Sequence, residues 1–519
     1  MIFVSAQGQL SGDLMLNANF YDRDTVIGAN TSQYKRDLSS TDAWLYLNYQ
    51  INGYTFAVRY DLFNNSPLLD PQESYSRQGL ALYSVSKTID KLSITAGTFY
   101  DQFGTGIIFR AYEDRLIGLD YAIRGINLKY NFSDNFFIKA FTGQQKNRFD
   151  VHNQIIKGIN IEKGYKIKDK LEFQSGAAMI NRTLDEDVMN LLANEINSYD
   201  WKDRFVPKYN LYAFTFYNTL TFKDLSWYIE YATKTSEAIK SKDGTKFINK
   251  SGNVIFTDLG YSRKGFGISL QYKRTEAFSM RTSPFSTLNV GVLNYMPPMS
   301  KQTSKTLPAR YNIAAKDFFE EAIHAEVTYS PNKKNTFSAD YTIVSDDVKG
   351  KIFDEIYFDY YRKFSNKFKT TIGVKTVYYD KKMYENDLGE YKNGQQEDSI
   401  VHAITPFAEV SYKLTANTSV RAEFQYLFTE QDHGDFLFAL LELNIAPNWS
   451  FSASDMINTK PKKLAKVEHY FNVSAFYTYN QSRFSIGYMK QVEGIVCTGG
   501  VCRQEPAFSG LKFGLTTSF

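Results

Sequence analysis

Few residues in this 519-residue sequence are suited to catalysis, and their spacing does not favour it. The five histidines are His152, His324, His402, His433 and His469. None belongs to a His-Glu-x-x-His zinc motif, and no Gly-x-Ser-x-Gly elbow or phosphate-binding loop is present. A lipid hydrolase with Ser and His on one strand face is the remaining enzymatic reading, and it ranks last. His324 shares a strand face with Glu320 and Glu326, where a solvated side chain is expected. The two cysteines, Cys497 and Cys502, enclose Thr498-Gly499-Gly500-Val501. A Gly-Gly pair lets the chain fold back, so a disulfide is the leading reading in an oxidising compartment. Free thiols and a two-Cys metal site are the alternatives, the latter disfavoured because no His lies nearby. No catalytic, cofactor or metal site is therefore expected.

The most distinctive charges lie between Thr98 and Gly125. Gly104-Thr105-Gly106 permits close backbone approach, and Arg110, Glu113, Arg115 and Arg124 follow. Bidentate pairs among such charges at a strand end would pin an inward-folded loop to a wall. The alternative is a charged constriction that selects solutes.

The elements carrying these charges have one rhythm. Tyr54, Phe56, Val58, Tyr60 and Leu62 alternate with Thr55, Ala57, Arg59 and Asp61. Phe266, Ile268, Leu270 and Tyr272 alternate with Gly267, Ser269, Gln271 and Lys273. Val420, Ala422, Phe424, Tyr426 and Phe428 alternate with Ser419, Arg421, Glu423 and Gln425. Period-two alternation with an aromatic-rich apolar face predicts strands of a transmembrane β-barrel. Arg59, Glu320, His324, Glu326, Arg421 and Glu423 then face the lumen. Composition agrees: 16% of residues are aromatic, mean hydropathy is only −0.38, and no apolar run is long enough for a spanning helix. A net charge of +4 argues against a nucleic-acid partner.

Hairpin chemistry recurs at Asn52-Gly53, Asp90-Lys91, Ser133 to Asn135, Lys168 to Lys170, Lys223-Asp224 and Arg263 to Gly265. It continues at Pro331 to Asn335, Ser365 to Lys367, Ala416-Asn417, Pro447-Asn448 and Asn480 to Ser482. This spacing predicts an all-β, single-chain antiparallel barrel of about 24 strands, within roughly 20 to 26. The long external loops are expected at Asp101 to Leu116, Asn181 to Lys208, Lys234 to Gly252, Glu276 to Lys316, Asp380 to Glu397 and Glu493 to Pro506. Thr183-Leu184-Asp185-Glu186 reads as a capping box for a helix with Val188, Leu191, Leu192 and Ile196 on one face. The stretch Pro284 to Arg310 is too apolar and Pro-rich to be freely solvated.

Residues 1–6 read as the end of a signal peptide cleaved after Ala6, and residues 7–519 as the barrel, with no plug domain. The last strand sets Phe513, Leu515, Thr517 and Phe519 on one face. It is similar to the C-terminal signal read by the bacterial barrel-assembly machinery. The segment Thr98 to Arg115, continued through Gly118-Leu119-Asp120 to Arg124-Gly125, resembles a family of uncharacterised outer-membrane barrels from Bacteroidota. Asn294-Tyr295-Met296-Pro297 belongs to the same pattern. The resemblance implies an outer-membrane location and no settled activity. The expected partners are outer-membrane lipid, lipopolysaccharide and the assembly machinery. The expected function is a porin-like passage for hydrophilic solutes through a loop-constricted lumen. The alternative is an accessory or scaffold barrel with an envelope protein partner.

Overall fold

In the strand Tyr54–Ser66, Tyr54, Phe56, Val58 and Tyr60 are exposed, whereas Ala57, Arg59 and Asp61 are buried. Long strands with an inward polar face and an outward apolar face pair without open edges only if the sheet closes. The computed structural model shows that closure. It describes residues 8–519 except 70–73, 169, 302, 306, 308–309, 386–390, 393–394, 397–398, 463–466 and 499–500. The expected signal-peptide remnant, residues 1–6, lies outside the described residues.

The wall is one 24-stranded antiparallel sheet. Its first strand, Gln9–Tyr21, pairs with its last, Phe508–Ser518, through Leu16↔Leu515 and Ala18↔Phe513. Phe20 and Phe513 meet edge to face across this seam, with ring centres 5.6 Å apart. The turns read from the sequence all fall between successive wall strands; Asn52 and Gly53, for example, join Ser39–Ile51 to Tyr54–Ser66 with φ of 52° and 75°. Positive φ at both positions matches the right-handed twist of the flanking strands.

The opposite end differs in detail from the sequence reading. Lys234 to Gly252 is mostly wall rather than loop: Leu225–Lys240 and Phe247–Arg263 stay paired out to Lys240↔Phe247. A register shift between Lys234 and Glu237 breaks the alternation there, so the period-two signal fails although the strand continues. The helix spans Glu186–Asn197, and its N-cap is Asp185, whose carboxylate accepts from Val188 N at 2.9 Å. The helix starts two residues beyond the expected Thr183, and its buried face is Met189, Leu192 and Ile196 with Val188 packed beside them, whereas Leu191 is exposed. Cys497 and Cys502 are register partners in a hairpin of Gly494–Thr498 and Val501–Glu505; their side chains lie outside the described set.

The lumen is occupied by the chain's own loops. Residues 100–122 and the described residues of 277–318 both fold inward. Phe103, Ile107, Ile108, Phe278, Met280 and Leu293 have no measurable exposure. They join one apolar cluster with inner-wall residues including Phe141, Ile180, Ala213, Val254 and Val344. Burial of this kind contributes about 1.5–3 kcal/mol per large side chain, so these loops are fixed structure.

Candidate functional site

The loop of residues 100–122 is tied to the wall by charge. Arg59, 1% exposed, sits on the inner face of Tyr54–Ser66. Its Nε and Nη2 donate to Asp61 at 2.7 and 2.9 Å. Nη2 also donates to Asp120 of the loop at 2.6 Å, and Nη1 to Glu113. Asp120 accepts from Lys146 Nζ at 2.6 Å and from the Tyr100 hydroxyl at 3.0 Å. Arg115 joins Glu113 at 3.2 Å and reaches Asp13 of the first strand at 3.0 Å. A guanidinium that donates to three carboxylates has nearly all its protons used, which makes burial tolerable. Burial pushes the Asp120 carboxyl up, but Lys146 and Arg59 outweigh it and hold the group below its ordinary 3.8. At Glu113 burial prevails over Arg59, and the carboxyl lies above its ordinary 4.5.

The Gly-x-Gly turn is explained by crowding. Gly104 has φ +54°, and a Cβ there would stand 2.7 Å from Glu230 Oε1. Thr105 then donates to Glu230 Oε2 through its backbone N at 3.0 Å and its hydroxyl at 2.6 Å. Arg110 does not pair with Glu113, contrary to the sequence expectation of a single charge cluster. Its guanidinium lies between Tyr112 and Tyr295, 4.3 and 4.1 Å from the ring centres. Arg110 N donates to Leu293 O, and Tyr295 N to Gly106 O, both at 2.9 Å. Arg110 therefore couples the two inward loops to each other. Arg124 is a further correction, because it joins neither the clamp nor the lumen face. It shares the outward parity of the exposed Ile126 and Leu128, and its guanidinium lies 5.2 Å from the Tyr83 ring.

The loop of residues 277–318 docks on acidic wall positions. Lys301 reaches Asp340 at 2.7 Å and Glu326 at 3.2 Å. Lys305 reaches Glu423 at 2.7 Å and also Glu409. Arg421 gathers Glu442, Glu409 and Glu423 within 3.0 Å. Glu320 pairs with Lys273 at 2.7 Å and accepts from Lys316 N at 2.6 Å. His324 is 7% exposed, not solvated, because this loop covers it. Among the described residues, His324, Glu326 and Asp340 also form a group with metal-ligand spacing.

The clamp lines a vestibule of about 1460 Å³. Arg59, Asp61, Glu113, Arg115, Asp120 and Lys146 contribute its charged lining, and Trp44, Phe63 and Tyr75 line it as well. Sequence reading missed Asp120, Lys146, Glu230, Lys301 and Lys305. Asp120 stood inside the distinctive segment, and Lys146 and Glu230 stood on strands, but their partners are remote in sequence. Lys301 and Lys305 could have been found as basic residues isolated in an apolar loop.

A family model described as a family of unknown function, DUF6029, matches residues 3–519. No curated protein sequence matches the chain. Among solved structures, the translocation pore of the P pilus usher PapC is 8% identical, with 98% of this chain and 99% of that chain covered and a TM-score of 0.42. The siderophore receptor PirA from Pseudomonas aeruginosa is 8% identical, with 98% and 80% covered and a TM-score of 0.43. OccAB3 from Acinetobacter baumannii is 11% identical, with 87% and 100% covered and a TM-score of 0.36. At these scores the likenesses add nothing to the barrel already described.

Proposed function

The chain belongs to the DUF6029 family of unknown function, and we propose that it is an outer-membrane barrel that passes small hydrophilic solutes through a lumen constricted by its own loops. The outward belt supports the location. Phe216, Tyr231, Ile356, Phe424 and Leu441 are among many large apolar side chains left exposed on the wall. Water tolerates such a belt poorly, whereas a bilayer covers it, and closure leaves no strand edge unpaired in lipid. No helix among the described residues is long and apolar enough to cross a membrane. Outer-membrane lipid and lipopolysaccharide are then the surroundings of the belt. The last strand, with Phe513, Leu515 and Phe519, is the segment we assign to recognition by the assembly machinery.

The observation that carries the passage reading is the vestibule of about 1460 Å³ ending on the Arg59 ion-pair network. The charged groups of that network offer partners to a polar solute, beside apolar walls that include Trp44 and Phe63. The reading involves no chemical step. Planar-bilayer recording of the purified barrel tests it: discrete, low-conductance channels support it, and a protein that inserts but never conducts contradicts it.

The second reading is a non-conducting scaffold or accessory barrel in a larger envelope assembly. It is favoured by the completeness of the apolar seal, in which Phe103, Ile107, Ile108 and Leu293 are fully buried. Co-purification in mild detergent of one stoichiometric envelope protein supports that reading, and recovery of the barrel alone counts against it.

A further inference from the structure

Beneath the long inward loop, His324, Glu326 and Asp340 form a group separate from the vestibule. His324 and Glu326 are two residues apart on Phe319–Asn332, so they share its inner face. On the neighbouring strand Asn335–Asp346, Asp340 is the register partner of Glu326, and Thr342 that of His324. One ligand atom from each of the three lies within 4.8 Å of the others. His324 Nδ1 is 2.7 Å from Thr342 Oγ1, which leaves Nε2 toward Asp340 Oδ1 at 3.8 Å. That separation is too long for a hydrogen bond. Two ligands about 2.1 Å from one tetrahedral ion stand about 3.4 Å apart, so this pair needs to close by only a few tenths of an ångström to share one.

Two further observations point to a cation. Asp340 is 3% exposed, yet its Oδ1 has no hydrogen-bond partner among the described residues. A buried carboxylate oxygen in that state lacks a donor and calls for an explanation such as a bound ion. A cation also already stands beside the group: Lys301 Nζ is 2.7 Å from Asp340 Oδ2 and 3.2 Å from Glu326 Oε1. That ammonium comes from the inward loop rather than from the wall.

We propose that His324, Glu326 and Asp340 form a binding site for a divalent transition-metal cation such as zinc, with Lys301 as its built-in competitor. One imidazole nitrogen and two carboxylates suit zinc, whereas calcium and magnesium favour oxygen-only sets. An ammonium carries one charge and only donates, so it cannot stand in for a metal at Nε2. A divalent ion can engage all three side chains and leave an open position for water. The ion and the ammonium compete for the same carboxylates, so each weakens the other's hold by the same factor. The site is independent of whether the barrel conducts.

The test is titration of the detergent-folded full chain with zinc against a chromophoric chelator, with heat-modifiable gel migration reporting the fold of each variant. Wild type binds a single zinc ion per chain, and Lys301→Ala binds about tenfold tighter. His324→Gln and Asp340→Asn lose binding. Absence of stoichiometric zinc in both wild type and Lys301→Ala overturns the site, as does unchanged binding in a folded His324→Gln barrel. Where His324→Gln does not fold, Glu326→Gln takes its place: lost binding supports the site and unchanged binding overturns it. Equal affinity of wild type and Lys301→Ala overturns the competition.

Discussion

Arg59 and Asp120 meet at 2.6 Å, one from the barrel wall and the other from the returning limb of an inward loop. Asp61 and Glu113 share the same guanidinium. Replacing Arg59 by Ala leaves three carboxylates around a vacated site. We expect a loss of about 3–5 kcal/mol, as for a broken buried ion pair, read as a lower melting temperature of the folded band. Arg59→Lys restores only part of it, because an ammonium lacks the planar fork that holds Asp61 through two bonds.

Arg110 joins the two loops through stacked rings rather than through charge pairing. Arg110→Ala and Tyr295→Ala should each destabilise the loops, and their effects should not add. A double-mutant cycle on unfolding free energy is expected to give a coupling of about 1 kcal/mol. Purely additive effects would show that the 4.1 Å contact contributes nothing.

Gly104 and Gly244 both have positive φ, but only Gly104 is crowded. A Cβ at Gly104 would stand 2.7 Å from Glu230 Oε1, whereas one at Gly244 would meet nothing within 4 Å. Both Ala variants incur the left-handed backbone cost of about 1–2 kcal/mol. Gly104→Ala should lose stability beyond that, because Glu230 must move away from Thr105. Equal melting temperatures for the two variants would contradict the crowding explanation.

The clamp also has a pH signature. Asp120 lies below its ordinary value, so its contribution is fully present above pH 3.8 and is lost as pH falls through the lower folded value. Glu113 lies above its ordinary value chiefly because it is buried, and a proton taken up there as pH falls toward 4.5 relieves that cost and, secondarily, its repulsion with Asp120. The stability gap between wild type and Asp120→Asn should therefore be open above pH 3.8 and shrink as pH falls below it. A gap that closes near neutrality would assign the clamp to other groups.

The wall was legible because alternation and turn chemistry are local. Tyr54 to Asp61 declare their two faces without reference to any partner, and Asn52-Gly53 marks its own reversal. Local signals also misled where a bulge shifted the phase between Lys234 and Glu237, and where Asp185 took the N-cap position from Thr183. The site was only half legible. Glu113 and Arg115 stood out as charges near a strand end and Arg59 as a residue of an inward strand face, but Arg59 and Asp120 are joined only by closure of the loop. Arg110 was grouped with Glu113 because charge is visible in a sequence, whereas the Tyr295 ring that holds it lies in the other loop. Arg124 was misassigned because its parity follows from a strand start that the loop hid.

On the proposed reading, the two inward loops, held by Arg59 and Arg110, constrict the lumen. Single-channel conductance distinguishes this from an unconstricted or closed barrel, comparing wild type with a barrel in which residues 282–312 are replaced by a short Gly-Ser linker. A 24-stranded wall encloses a wide lumen once emptied. We predict small, discrete conductances for wild type and a several-fold rise for the shortened loop, with an intermediate rise for Arg59→Ala. Identical conductance in a folded wild-type and loop-replaced barrel would contradict the claim.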